Sequence, residues 1–156
     1  MSNSVTVSVI KLEDHFKDVI AAASGDTLAK AVMAGGHVVE AYAKINVNET
    51  FSSHATGGAG LAGSIQTVLA KSDENSAEAD VGPTVIYGRI HELGGMIKPI
   101  HGEWLTFQTY DGAWHKVKVV SMPARPYLRP ALDEHQQEIL DAIGYQLEIG
   151  INKATT

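Results

Sequence analysis

The chain has 156 residues, 44% hydrophobic and 19% charged, and no cysteine. That suffices for one globular domain, 1–156, with its own core, and it excludes a disulfide framework and thiolate metal sites. A net charge of −6 disfavours wrapping of nucleic acid.

No apolar run approaches the ~20 residues of a membrane helix. The opening Met1-Ser2-Asn3-Ser4-Val5 lacks the basic start and apolar core of a signal peptide. Synthesis in a cytoplasm, with no membrane partner, is the expectation. The alternation of Val5, Val7 and Val9 predicts a strand over residues 4–10. Leu12, Phe16, Val19, Ile20 and Ala23 then recur at helical spacing. Asp26 can cap a second helix, running to about Ile45. Gly35-Gly36 falls inside it. Each glycine costs about 1 kcal/mol against alanine in a helix, so a kink or a close helix crossing is expected there.

Residues 46–63 read as a loop, with the glycine-rich part at 54–63 flexible and able to order on contact with other proteins. Ile65 to Ala70 predicts a strand, Lys71 to Glu78 a polar turn, and Ala79–Val81 a returning strand broken by Gly82-Pro83. A short helix follows over Val85–Leu93 and ends at Gly94-Gly95. Trp104 to Gln108 and Trp114 to Val120 flank Asp111-Gly112, a strong hairpin signal. After the prolines at 123, 126 and 130, a last helix is expected, with Pro126 in its first turn and an apolar stripe of Leu128, Leu132, Ile139, Ile143 and Leu147. The fold class is α+β: two N-terminal helices, an antiparallel sheet of about four to five strands with a long hairpin, and a long C-terminal helix packed on the sheet.

Charge is uneven along the chain. Arg89 to Arg129 holds six basic and three acidic residues, +3, and the remainder six basic and fifteen acidic, −9. Opposite signs on one chain favour head-to-tail contact between copies.

His91-Glu92 opens like a zincin helix, but Gly95 stands where the second histidine is required. A metal-dependent hydrolase would have to be built from His91, Glu92, His101 and His115. No serine sits in a nucleophile elbow, and no cofactor motif is present. Trp104, Phe107, Tyr110, Trp114, Lys116 and Lys118 could instead stack and hold a single nucleic-acid strand, without sequence specificity. The plainer reading is sheet packing with a solvated lysine face. Arg125 and Arg129 lie at the start of the last helix, the end that disfavours cations. They therefore need a carboxylate partner, such as Asp133, or a neighbouring subunit.

The stretch from Ile86-Tyr87-Gly88 to His91-Glu92-Leu93-Gly94-Gly95, the hairpin, and Met122-Pro123-Ala124-Arg125-Pro126-Tyr127-Leu128-Arg129-Pro130-Ala131-Leu132-Asp133 together resemble the phage neck and tail-completion family, described as tail components, minor tail proteins or virion morphogenesis proteins. Thr56-Gly57 and Gly60-Leu61-Ala62-Gly63-Ser64-Ile65 are similar to its Thr-Gly-x-Leu-x-x-Ser-Ile stretch, at a longer spacing. The resemblance implies a structural virion protein, not an enzyme, that joins or completes the tail at the head–tail junction. It implies no catalytic, cofactor or metal residues. It also implies a homo-oligomeric ring of six subunits, assembled in the host cytoplasm, whose partners are other tail and head-completion proteins. Candidate contact residues are Arg125, Tyr127 and Arg129 at the helix start and Tyr110, Asp111 and Trp114 at the hairpin.

Overall fold

The computed structural model describes residues 21, 23–51, 56–109 and 111–154. The strand expected at 4–10, and all but the tail of the first expected helix, lie outside those residues. The class is α+β, as expected, with antiparallel sheets and a long C-terminal helix.

Helix α1 spans Asp26–Phe51, and the other helical and sheet layers pack around it. It runs six residues beyond the expected end at Ile45. Val47 is fully buried, and Asn46 and Phe51 reach partners far along the chain, so tertiary contacts rather than propensity extend it. Asp26 lies inside the first turn and pairs with Lys30 instead of capping.

The loop expected at 46–63 is largely helical. After the end of α1, helix α2 occupies Thr56–Ser64. Its glycines disfavour a helix, but Leu61 and Ala62 bury against α1 together with Ile65, and the Ser64 hydroxyl donates to the Leu61 carbonyl at 2.7 Å. Burial overrides propensity here.

Strands β1 (Ile65–Ser72) and β2 (Ala77–Pro83) form an antiparallel hairpin, with Ile65 opposite Pro83 at one end, Ser72 opposite Ala77 at the other, and a one-residue register shift between Leu69 and Lys71. Asp73 closes its turn, accepting from the Asn75 and Ser76 amides at 2.9 and 2.8 Å. Helix α3 (Gly88–Leu93) follows and ends at Gly94, whose φ of 69° matches the expected glycine stop. Strands β3 (Gly95–Ile97) and β6 (Val120–Met122) pair with each other, and between them β4 (Leu105–Gln108) and β5 (Trp114–Val117) form the expected Asp-Gly hairpin.

One sheet of four to five strands was expected, but the described strands form three separate two-stranded sheets. Pro83 ends β2, α3 intervenes, and the short later strands pair only locally. The expected outgoing strand from Trp114 to Val120 breaks at Lys118-Val119, because Val120 onward pairs with β3 instead.

The last helix is also divided, into α4 (Leu128–Asp133) and α5 (Gln136–Ala154). At the break His135 stacks on the Tyr42 ring, centroids 3.3 Å apart, and the Tyr42 hydroxyl donates to Glu138 at 2.6 Å. Leu132, in the expected stripe, is half exposed and lines one groove with Leu128, Ile139 and Ile143. Helix α5 packs on α1, not on the sheet.

Gly35-Gly36 explains that layering. A β-carbon on Gly35 would come within 2.9 Å of Ile143 on α5, and one on Gly36 within 2.5 Å of the Thr67 methyl on β1. The pair forms the expected close crossing, with α5 against one glycine and β1 against the other. Four residues on, Glu40 fastens the same contact, accepting from the Thr67 amide at 2.9 Å, the Thr67 hydroxyl at 2.8 Å and Lys44 at 2.6 Å. Burial pushes the Glu40 carboxyl up, but hydrogen bonds from Lys44, Thr67 and His37 outweigh it and hold the pKa at about 2, below the ordinary 4.5.

Three outcomes follow. Gly36→Val should lower stability in urea denaturation by about 1–3 kcal/mol, because Thr67 is stiff and already tied to Glu40. Gly63→Ala, with open space around its new methyl, should be neutral or stabilising by up to about 1 kcal/mol. The Glu40 pKa is lower in the folded state, so its stabilisation is complete above pH 4.5 and is lost as the pH falls towards about 2. Glu40→Gln should destabilise the protein at pH 7 and flatten the acid limb of a stability–pH curve.

Candidate functional site

The chain between α3 and α4 leaves the body at Gly95 and returns at Met122, so residues 95–122 form an arm rooted between two short helices. Its two sheets make no broad packing with the helices among the described residues.

The root is closed by Glu92, on the last turn of α3. Its carboxylate accepts from the backbone amides of Tyr127 at 2.7 Å, Leu128 at 2.9 Å and Arg129 at 3.1 Å. These are unsatisfied donors at the start of α4, and no side chain at Tyr127 caps the helix. A residue 35 positions earlier supplies the cap. The negative charge also suits the positive end of the helix. The Arg125 amide donates to the His91 carbonyl at 2.7 Å, and a β-carbon on Gly94 would fall 2.7 Å from the Ala124 nitrogen, so the two chain segments lie backbone against backbone.

Tyr127 anchors this clamp. Its side chain is fully buried, its hydroxyl donates to the Gly88 carbonyl at 3.2 Å, and its carbonyl accepts from Asn46 at 3.0 Å. Burial, then the Glu92 charge, raises its phenol pKa to about 12. Gly88 must be glycine, since a β-carbon there would collide with the Pro83 ring and lie 3.1 Å from the Tyr127 hydroxyl. Tyr127 therefore holds the core and offers no surface to a partner.

The other candidate residues divide by place. Arg125 lies over the Phe51 ring, 5.5 Å from its centroid, and Arg129 is exposed on the rim of an apolar groove of about 560 Å³ between α1, β2 and the last two helices. No ion pair joins Arg129 to Asp133 among the described residues. The carboxylate found at this helix start, Glu92, takes backbone amides, and it makes no ion pair with Arg125 or Arg129 among the described residues. At the arm's tip, Asp111 accepts from the Thr109 hydroxyl at 2.6 Å and the Ala113 amide at 3.2 Å, which lowers its pKa, and Gly112 turns the chain at φ 83°. Trp114 is 71% exposed. Tyr110 lies outside the described residues.

The hydrolase cluster is not assembled. Both Glu92 oxygens are engaged in the cap, and His115 hydrogen-bonds Thr109 on the hairpin. His91 is wedged edge-on to Phe51, with burial and then the Arg125 cation pushing its pKa down. Among the described residues, no three histidine, aspartate or glutamate side chains could hold a metal. Lys116 and Lys118 lie 5.3 and 5.0 Å from the Trp104 ring centroid, so the face on which a base would stack is already covered by ammonium groups.

Sequence reasoning found the two halves of the clamp but not their connection. The available signal was an absence: Pro126-Tyr127-Leu128 offers no serine, threonine, aspartate or asparagine to cap α4, which calls for a remote acceptor.

The phage virion morphogenesis family matches residues 39–148, from the middle of α1 through the clamp and arm into α5. The chain belongs to that family. Membership gives this virion morphogenesis protein a structural, virion-associated role in bacteriophage assembly. No curated protein and no solved structure gives a significant match.

Glu92→Ala should cost the morphogenesis protein about 2–3 kcal/mol in urea unfolding, since it strands three backbone donors. Glu92→Gln keeps one carbonyl acceptor and should recover part of that loss. Equal stability of all three proteins would show that the cap contributes nothing.

Proposed function

We propose that this virion morphogenesis protein is a non-catalytic ring subunit that joins or completes the tail at the head–tail junction. The observation that carries the reading is the arm. A two-stranded hairpin is marginal in water by itself, and this one projects from a clamped root while exposing Trp104, Phe107 and Trp114. Such a surface is completed by neighbours rather than by its own core. Family membership supports the same reading, because virion assembly requires subunits that present different faces to successive copies. The partners are further copies, six to a ring, together with tail and head-completion proteins. Arg125 and Arg129 at the root, and Asp111 and Trp114 near the tip, are the contact residues that remain accessible.

Light scattering across a concentration series, with negative-stain microscopy, tests this. Closed rings, or monomers that assemble only on tail ends, are the expected result. A strictly monomeric protein that never associates with tails or connectors would contradict it.

A further inference from the structure

The arm has a complementary surface on the same chain. Helix α5 turns Ile139 and Ile143 towards α1, and Gly150 against Thr27. Its opposite face runs through Leu140, Asp141, Gly144, Tyr145 and Glu148, spaced by alternating steps of one and three on one side of the helix. Leu140 and Tyr145 on that face are 61% and 63% exposed, and a methyl on Gly144 would meet open space. From Asp133 to Asn152 there are five acidic residues and no lysine or arginine. The arm differs in sign. It carries Lys98, Lys116 and Lys118 against Glu103 and Asp111, and Arg89, Arg125 and Arg129 lie at its root. Its apolar content is also larger than its own packing uses. Ile97, Leu105, Phe107, Val120 and Met122 line an open groove of about 350 Å³, and Met96 and Trp114 project beyond it.

We infer that the arm of one copy, through Trp114 and the Lys116–Lys118 edge, seats on the outer face of α5 of the next copy around Leu140 and Tyr145. The occupant of each surface is a second copy of this chain, and the contact is between unlike patches. An arm-to-arm pairing would oppose lysine with lysine, and an α5-to-α5 pairing acid with acid; only the heterologous pairing matches both charge and apolar surface. Repetition of such a contact generates a ring when its rotation closes. The inference rests on the ring reading and adds which surfaces meet.

The natural absence of cysteine makes a direct test available. Full-length Trp114→Cys and Tyr145→Cys variants, each altered at an exposed site and checked by circular dichroism, are mixed and treated with a short bismaleimide. A mixed 114–145 dimer should dominate, with little product from either variant alone. Self-linking of Trp114→Cys, or no mixed product while the unmodified protein still forms rings, would overturn the arm-on-α5 contact and leave ring formation standing. No association under any condition would remove both. A charge exchange gives a second, independent readout: Lys116→Glu with Lys118→Glu should weaken self-association at least tenfold, and adding Asp141→Lys with Glu148→Lys should restore it. Failure of that rescue in folded protein contradicts the pairing.

Discussion

The carboxylate of Glu92 joins two stretches of chain that would otherwise have no reason to meet. Helix α4 begins without a local cap, and its first amides are satisfied only because α3 presents Glu92 to them. Tyr127 can then bury, and its hydroxyl and carbonyl bind α3 and α1. The glycines on either side follow from this closeness: Gly88 makes room for the Tyr127 hydroxyl and Pro83, and Gly94 lets the backbone pass Ala124. The clamp gives the arm a fixed base, which a projecting two-stranded hairpin cannot supply for itself.

A second constraint sets the layers. Helix α1 is central because Gly35 and Gly36 let α5 and β1 approach it closely. Glu40 then secures the sheet side by taking both Thr67 donors. The result is a body of α1, α2, α5 and the β1–β2 hairpin, joined through the clamp to an arm that shares little of its core. Under the proposed ring assembly, such a division suits a subunit that is rigid alone and completes its surface with others. Arms that reach a neighbour allow a small chain to make a large contact.

Much of this was legible in the sequence where the signal is local. The Asp-Gly hairpin, the β1–β2 hairpin, the glycine stop after α3 and the close crossing at Gly35-Gly36 each rest on residues whose backbone preferences act in place. What was not legible depends on distant atoms. The glycine-rich stretch at 56–64 is helical because Leu61 and Ala62 find a core, which no propensity reports. The last helix divides at Glu134-His135 because Tyr42 stacks on His135, a contact across the fold. The strands do not merge into one sheet because their pairing is local. The use of Glu92 as a remote cap was not legible, and Tyr127, expected as a contact residue, is fully buried in the clamp.

Family membership and the physical account meet in one place, since the matched segment contains the whole clamp and arm. Within that segment, the residues on either side of the arm hold its root through Glu92 and Tyr127. Amide hydrogen exchange at Tyr127, Leu128 and Arg129, compared between the unmodified protein and Glu92→Gln, tests this most directly. Slow exchange at all three that accelerates in the variant, while the amides of α1 remain protected, is the predicted result. Unchanged exchange at these three amides would contradict the clamp.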